Sequence, residues 1–374
     1  MFFVWITEFL LYTCFCLLTG TLIFYSLPEH RRPNIFVPKR LLLWTTVGTG
    51  VLSFAPILST MFTLAKGLGF WVSFKSTLLV FDAGQAWIFT LAIAILLFGL
   101  IYFNKLHADI FLARIGLILC ILLIGGYARS SHAASLEPIA GFASHFFHLF
   151  FVSVWGGCLF VAAWLSKDER NWGRFLAWYT PLALVSIVVI MVAGFLTMSI
   201  DIAAPITHSL SSSLPHTLYR YKQSFFSNYG QALLIKHLLV IPLVLYGLFN
   251  GFFRKTIKRY HSIKWARAES FVILFIFAVT AFMGQQAPPH QPDQYLQLYG
   301  PSPLFLALYQ KNIPNNFVVN FHFNVFSFIF IDFCLLFILM IVLSFVKKLP
   351  STVALLMTLG FLASGYSSVM STIA

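Results

Sequence analysis

At 374 residues, 59% hydrophobic and only 9% charged, the chain carries too little polar surface to cover a soluble globule of its size. Its formal net charge of +13 would suit a nucleic-acid partner, but the Lys and Arg sit in short loops between apolar stretches rather than on one continuous basic face. That distribution argues against nucleic acid and for a membrane topology. Five cysteines, Cys14, Cys16, Cys120, Cys158 and Cys334, all fall inside apolar stretches, where neither a disulfide framework nor a CxxC metal clip is legible; they are expected to pack as small hydrophobes.

Taken in chain order, the expected spans are 2–27, 41–64, 83–103, 110–129, 141–166, 176–201, 229–253, 267–286, 320–346 and 351–372, each near the ~20 residues that ~30 Å of hydrocarbon requires. The opening MFFVWITEF has no basic n-region and no small-residue cleavage site after it, so the first span is read as retained. The connections at 29–40, around Lys105 and Arg114, at 166–174, at 253–267 and at Lys347–Lys348 hold 17 of the 24 Lys and Arg. This places them in the cytoplasm and both termini outside. The outer connections are then 65–82, 130–140, 202–228 and 287–319. Eight of the eleven histidines, His132, His145, His148, His208, His216, His237, His290 and His322, lie in them or in the outer halves of the adjoining spans. The expected class is an all-α, polytopic helical membrane protein of about ten transmembrane helices, one integral-membrane domain over 1–374. Only 204–228 and 287–319 are expected to carry short interfacial helices.

In the fifth span His145 and His148 are three residues apart and so share a helical face. His148 lies ~12 Å below the outer helix end, and His237 in the seventh span lies at the same depth. Met198 and Met283 fall within two turns of the outer surface in the sixth and eighth spans, with His322 at the top of the ninth. Imidazoles and thioethers at matching depth suit a soft or borderline transition metal, copper best of all. Taken singly, such residues more often pack or sit at an interface; two adjacent imidazoles within the bilayer are what demand polar partners. Asp332, about 18 Å into the ninth span as drawn, and Lys236, two turns into the seventh, belong either to an ion path or to a structural pair. Trp155-Gly156-Gly157 points to close helix approach. With no nucleophile–base pair, phosphate loop, HExxH or paired catalytic carboxylates, an enzyme is not expected.

In order and spacing these residues resemble the CopD family of copper resistance and copper transport membrane proteins. The resemblance is carried by SHAAS at 131–135, HLFFVSVWGG at 148–157, RF at 174–175, YGQALLIK at 229–236 with Asn250 downstream, ARAESF at 266–271 and APPH at 287–290. It covers roughly 130–290, and the other spans match only in being hydrophobic. The resemblance implies a bacterial plasma-membrane protein that moves copper, in partnership with a CopC-like extracytoplasmic copper-binding protein. It matches His132 and His148 to the family's histidines and Lys236, Asn250 and Glu269 to its polar positions. His145 and His237 are not among the matched positions; their candidacy rests on depth. Because the first residues read as a span, a CopC-like domain fused ahead of it is not expected.

The expectation is therefore copper capture by His132, His145, His148, His237, Met198 and Met283, with Lys236, Glu269 and Asp332 as path or structural polar groups. Two other classes remain open at this stage: a membrane cytochrome with His148 and His237 as axial haem ligands, and a non-transporting protein that passes copper to a partner. The sidedness has a direct check. Cysteines placed at Asn34 and at Tyr260 are expected to be protected from an impermeant thiol reagent applied outside and one at Ser212 to react; the reverse pattern would invert the topology.

Overall fold

The computed structural model describes residues 2–203, 210–251, 262–289, 292–309, 313–314 and 317–373. The protein is 83% helical, with no β-strand among the described residues, and ten helical segments are long and apolar enough to cross a membrane. It is an all-α, multi-pass membrane protein. In chain order the helices are α1 (Phe2–Tyr25), α2 (Lys39–Leu52), α3 (Ala55–Leu68), α4 (Phe70–Lys75), α5 (Asp82–Phe103), α6 (Ile110–Arg129), α7 (His132–Leu136) and α8 (Ala140–Leu165). They continue as α9 (Trp172–Ala203), α10 (Leu210–Gln223), α11 (Asn228–Gly251), α12 (Ser262–Met283), α13 (Pro292–Tyr299), α14 (Pro303–Leu308), α15 (Val325–Val346) and α16 (Ser351–Ser371).

Each expected span is present, with four local differences. The second span is α2 and α3 in series: Pro56, at the start of α3, has no N–H for the carbonyl four residues back, so the chain turns at Ser53–Phe54 and restarts. The connection at 65–82, expected to lack structure, instead holds α4 and a π-helical turn over Ser76–Val80, reached through Gly69 at φ 78°. The connection at 130–140 carries α7, capped by the Ser131 hydroxyl, which accepts from the Ala134 N–H. Finally, the ninth span starts at Val325 rather than 320. Asn324 and Ser327 close a capping box there, and the preceding Phe321 bridges to Ile373.

The chain folds as two compact units, Met1–Ile200 and Asp201–Ala374. In the first, α1 is the central element and packs on α2, α3, α6 and α8. Leu11, Phe15, Leu18 and Leu22, spaced four, three and four residues apart, form its fully buried ridge. Side-chain size limits how near α8 can come, and both helices solve this with glycine. A Cβ on Gly20 would fall on the carbonyl of Gly157, and one on Gly157 on the carbonyl of Cys16. This is the close approach expected from Trp155-Gly156-Gly157. In the second unit α11 packs on α12 and α16, and α15 lies along α16. Gln231 of α11 joins them, donating to the Phe225 carbonyl and accepting from the Tyr366 hydroxyl.

The basic loops of the first unit are tied to one another. Ile35 bridges antiparallel to Ser166, the Phe36 N–H donates to the Leu165 carbonyl and the Lys167 N–H to the Asn34 carbonyl. Asp168 accepts from the Arg170 backbone N–H at 2.9 Å and from the Asn34 amide at 2.8 Å, and these bonds hold its carboxyl below the usual carboxylate range.

Gly157→Ala should cost about 1–3 kcal/mol by forcing α1 and α8 apart. Gly99→Ala, where nothing lies within 4 Å of the added methyl, should leave the melting temperature unchanged. Equal melting temperatures for the two variants would show that the contact is not tight.

Candidate functional site

The starts of α1, α5 and α8 and the end of α6 define one end of the first unit, and it is here that the polar side chains of its spans gather. Glu8 lies two turns into α1 and is only 7% exposed, although its helix is otherwise apolar. One turn on, the Tyr12 hydroxyl donates to Glu8 Oε2 at 3.5 Å. The Tyr12 ring meets Tyr127 of α6 edge-on, with the ring centres 6.5 Å apart. Tyr127 also lies against the His145 ring, centroid to centroid 6.4 Å. A carboxylate, two phenols and an imidazole from α1, α6 and α8 therefore form a continuous polar cluster at this end. The sequence reading missed Glu8. A carboxylate eight residues into an apolar span was the available signal, since such a group needs a partner, water or a proton.

One turn further along α8, His148 faces α9. Its Nδ1 lies 3.0 Å from the Ile190 carbonyl oxygen. A carbonyl only accepts, so Nδ1 carries the proton and Nε2 is the basic nitrogen. Gly194 makes room for the ring: a Cβ there would sit 3.0 Å from both Cε1 and Nδ1. An imidazole oriented by a backbone carbonyl through one nitrogen presents the other to a metal or a proton in a fixed direction. Deeper in the unit lie three buried thiols, Cys16 of α1, Cys120 of α6 and Cys158 of α8. Cys120 also contacts the Thr19 hydroxyl at 3.3 Å. Sequence spacing could not have grouped these thiols, because they come from three separate helices.

The remaining candidates of the first unit are His132, exposed at the start of α7, and Met198, buried near the end of α9. α7 is held against α8 at Gly141, where a side chain would strike the Ala133 carbonyl, and by Arg129, which donates to the Ala134 carbonyl and pairs with Asp82 at 2.7 Å.

In the second unit His237 Nδ1 and the Tyr221 hydroxyl share a 2.8 Å hydrogen bond, with the rings perpendicular. Burial pushes the Tyr221 phenol up, so it stays protonated at neutral pH. Lys236, the neighbour of His237, interacts with Asp201 in the last turns of α9, and Asp201 Oδ2 accepts from the Tyr229 hydroxyl at 3.4 Å. Asp201, absent from the expected set, acts on Lys236 through its charge without an ion pair within 4 Å. Asp332 takes neither expected position. With α15 starting at Val325 it is about 10 Å from the helix start rather than 18 Å, and it lies on the exposed side of the helix. Glu269, 1% exposed, accepts from the Asn250 amide at 2.6 Å and joins α12 to α11. Met283, half-buried, ends α12. His208 and His290 lie outside the described residues. Among the described residues, no three His, Cys, Asp or Glu side chains converge on one metal position.

Fold and site together define a multi-pass helical membrane protein with buried polar clusters inside its spans. No protein-family model matches the chain, and no curated protein or solved structure is similar to it.

The Asp201 contacts have a clear energetic signature. Asp201→Asn should lower stability by about 1–2 kcal/mol, because the Tyr229 hydroxyl loses its charged acceptor and Lys236 a nearby negative charge, and adding Lys236→Met should recover part of the loss. Asp332→Asn should leave the melting temperature unchanged. A stability loss in Asp332→Asn that Lys236→Met relieves would make Asp332 the counter-charge of Lys236.

Proposed function

We propose that the protein moves a soft cation, copper foremost, across a bacterial plasma membrane, taking it up at the histidine-rich end and passing it inward. The observation that carries this reading is His148. Its ring stands within the span, anchored through Nδ1 on the Ile190 carbonyl, with Nε2 as the basic nitrogen. Gly194 stands opposite the ring, where a Cβ would lie 3.0 Å from Cε1 and Nδ1, and so leaves room for this orientation.

The surroundings support the same chemistry in graded form. Nearest the membrane surface is the Glu8–Tyr12–Tyr127–His145 cluster, of oxygen and imidazole donors. Below it is the His148 imidazole, and deeper still the thiols of Cys16, Cys120 and Cys158. Hard donors at the entrance and soft donors inside suit a cation that loses water and gains sulfur ligands as it descends. The motif resemblance to the CopD family points the same way, and with it a CopC-like extracytoplasmic donor as partner. His237 with Tyr221, and Lys236 with Asp201, supply polar groups to the spans of the second unit and fit positioning roles there.

The test uses copper bound by, and transported by, the purified chain in liposomes. His148→Ala should remove most of the bound copper and uptake, because one oriented imidazole is lost from a site of few ligands. Gly194→Ala should reduce both about tenfold without touching any ligand, by pushing the ring off its carbonyl. Full copper binding and uptake in His148→Ala would overturn the reading. A Soret band in the purified protein would replace it with a haem protein.

A further inference from the structure

At the opposite, basic end of the first unit, a partly open cavity of about 340 Å³ lies where four spans terminate. α1 ends there at Tyr25, α2 begins at Lys39, α5 ends at Phe103 and α6 begins at Ile110, so the cavity sits at the depth of lipid headgroups rather than of acyl chains. Its polar wall carries Arg32, Lys39, Lys105 and His107, against a single carboxylate, Glu29.

The cations are held in place by the fold. Arg32 Nη1 donates to the Phe24 carbonyl at 3.2 Å, its guanidinium lies 5.5 Å from the centre of the Tyr25 ring, and its side chain is only 11% exposed. Lys39 Nζ donates to the Tyr102 carbonyl at 2.6 Å. Glu29 does not neutralise this wall. It pairs with Arg32 at 3.3 Å, but its side chain is 91% exposed, where water and salt screen it. Apart from Asn104 and the Tyr25 phenol, the rest of the cavity is apolar, lined by Leu42 and Ile101 among others. On the same helices Trp44 and Phe103 turn 72% and 82% of their surfaces outward toward lipid.

We infer that this cleft binds the phosphate group of an anionic phospholipid, with Arg32, Lys39 and Lys105 around the phosphate and an acyl chain leaving along α2 and α5. A phosphate anion is the shared chemistry of a lipid headgroup and a soluble phosphate compound. The apolar wall and the lipid-facing aromatic residues beside it favour the lipid, since a free phosphate would use only the cationic side. The inference stands apart from the copper reading, because it involves the other end of the unit and none of the same residues.

Native mass spectrometry of the full chain in detergent, titrated with phosphatidylglycerol and with phosphatidylcholine of the same chains, tests it. The parent should retain phosphatidylglycerol selectively. Lys105→Glu, an exposed side chain whose reversal should leave the melting temperature unchanged, should weaken binding more than tenfold. Arg32→Lys, which keeps the charge and loses the fork, should weaken it severalfold. Lys347→Glu, on a basic loop of the second unit, should bind like the parent, and millimolar inorganic phosphate or glycerol 3-phosphate should not displace the lipid. Parent-like binding in folded Lys105→Glu would overturn the site. Displacement by inorganic phosphate would overturn the lipid as its occupant.

Discussion

Where Gly20 of α1 meets Gly157 of α8, two backbones pass with no side chain between them, and much of the first unit's chemistry depends on that contact. In lipid, helices gain little by burying apolar surface against one another, so close van der Waals packing must supply the association. Glycine on both sides permits it at this point. The approach brings the Glu8 and Tyr12 face of α1 toward α6 and α8, where Tyr127 and His145 receive it. Widening the gap by one methyl group would disturb the polar cluster as well as the packing.

A second constraint acts on every polar atom placed in the spans: with no water in the hydrocarbon, each needs a partner from the protein itself. The pairings found are local to each unit and use different chemistry. His148 uses a backbone carbonyl, Glu269 the Asn250 amide, His237 a phenol and Asp201 the Tyr229 hydroxyl. Glu269 with Asn250 reads as a clamp, since a buried carboxylate and amide that satisfy each other leave α11 and α12 in one register. His148 is different in kind. The Ile190 carbonyl fixes the tautomer and the direction of its ring, which is what a ligand or proton carrier requires.

The two ends of the first unit are built on opposite principles. At the basic end the loops are cross-linked by backbone hydrogen bonds between 34–36 and 165–167, and Asp168 draws on both loops. That rigidity holds Arg32 and Lys39 in fixed positions beside the cleft. At the histidine end the connection is a short helix, α7, seated on Gly141 and pinned by Arg129, with His132 exposed on it.

The ten spans were legible in the sequence, because length and hydropathy are local properties and lipid imposes a sharp threshold on both. So was the close approach at Gly157, since small residues in a span have few other uses. The sequence also placed His145 and His148 on one face, as the helical repeat alone requires. It could not assign faces to partners. Helices such as α1 and α15 are apolar all round, so no periodic pattern marks which side is buried. Asp332 therefore could not be seen to lie on the exposed side of α15, nor Asp201 to accept from Tyr229, nor Glu269 to meet Asn250. Those outcomes were decided by how the helices rotate and tilt against one another, which follows from packing in the assembled structure.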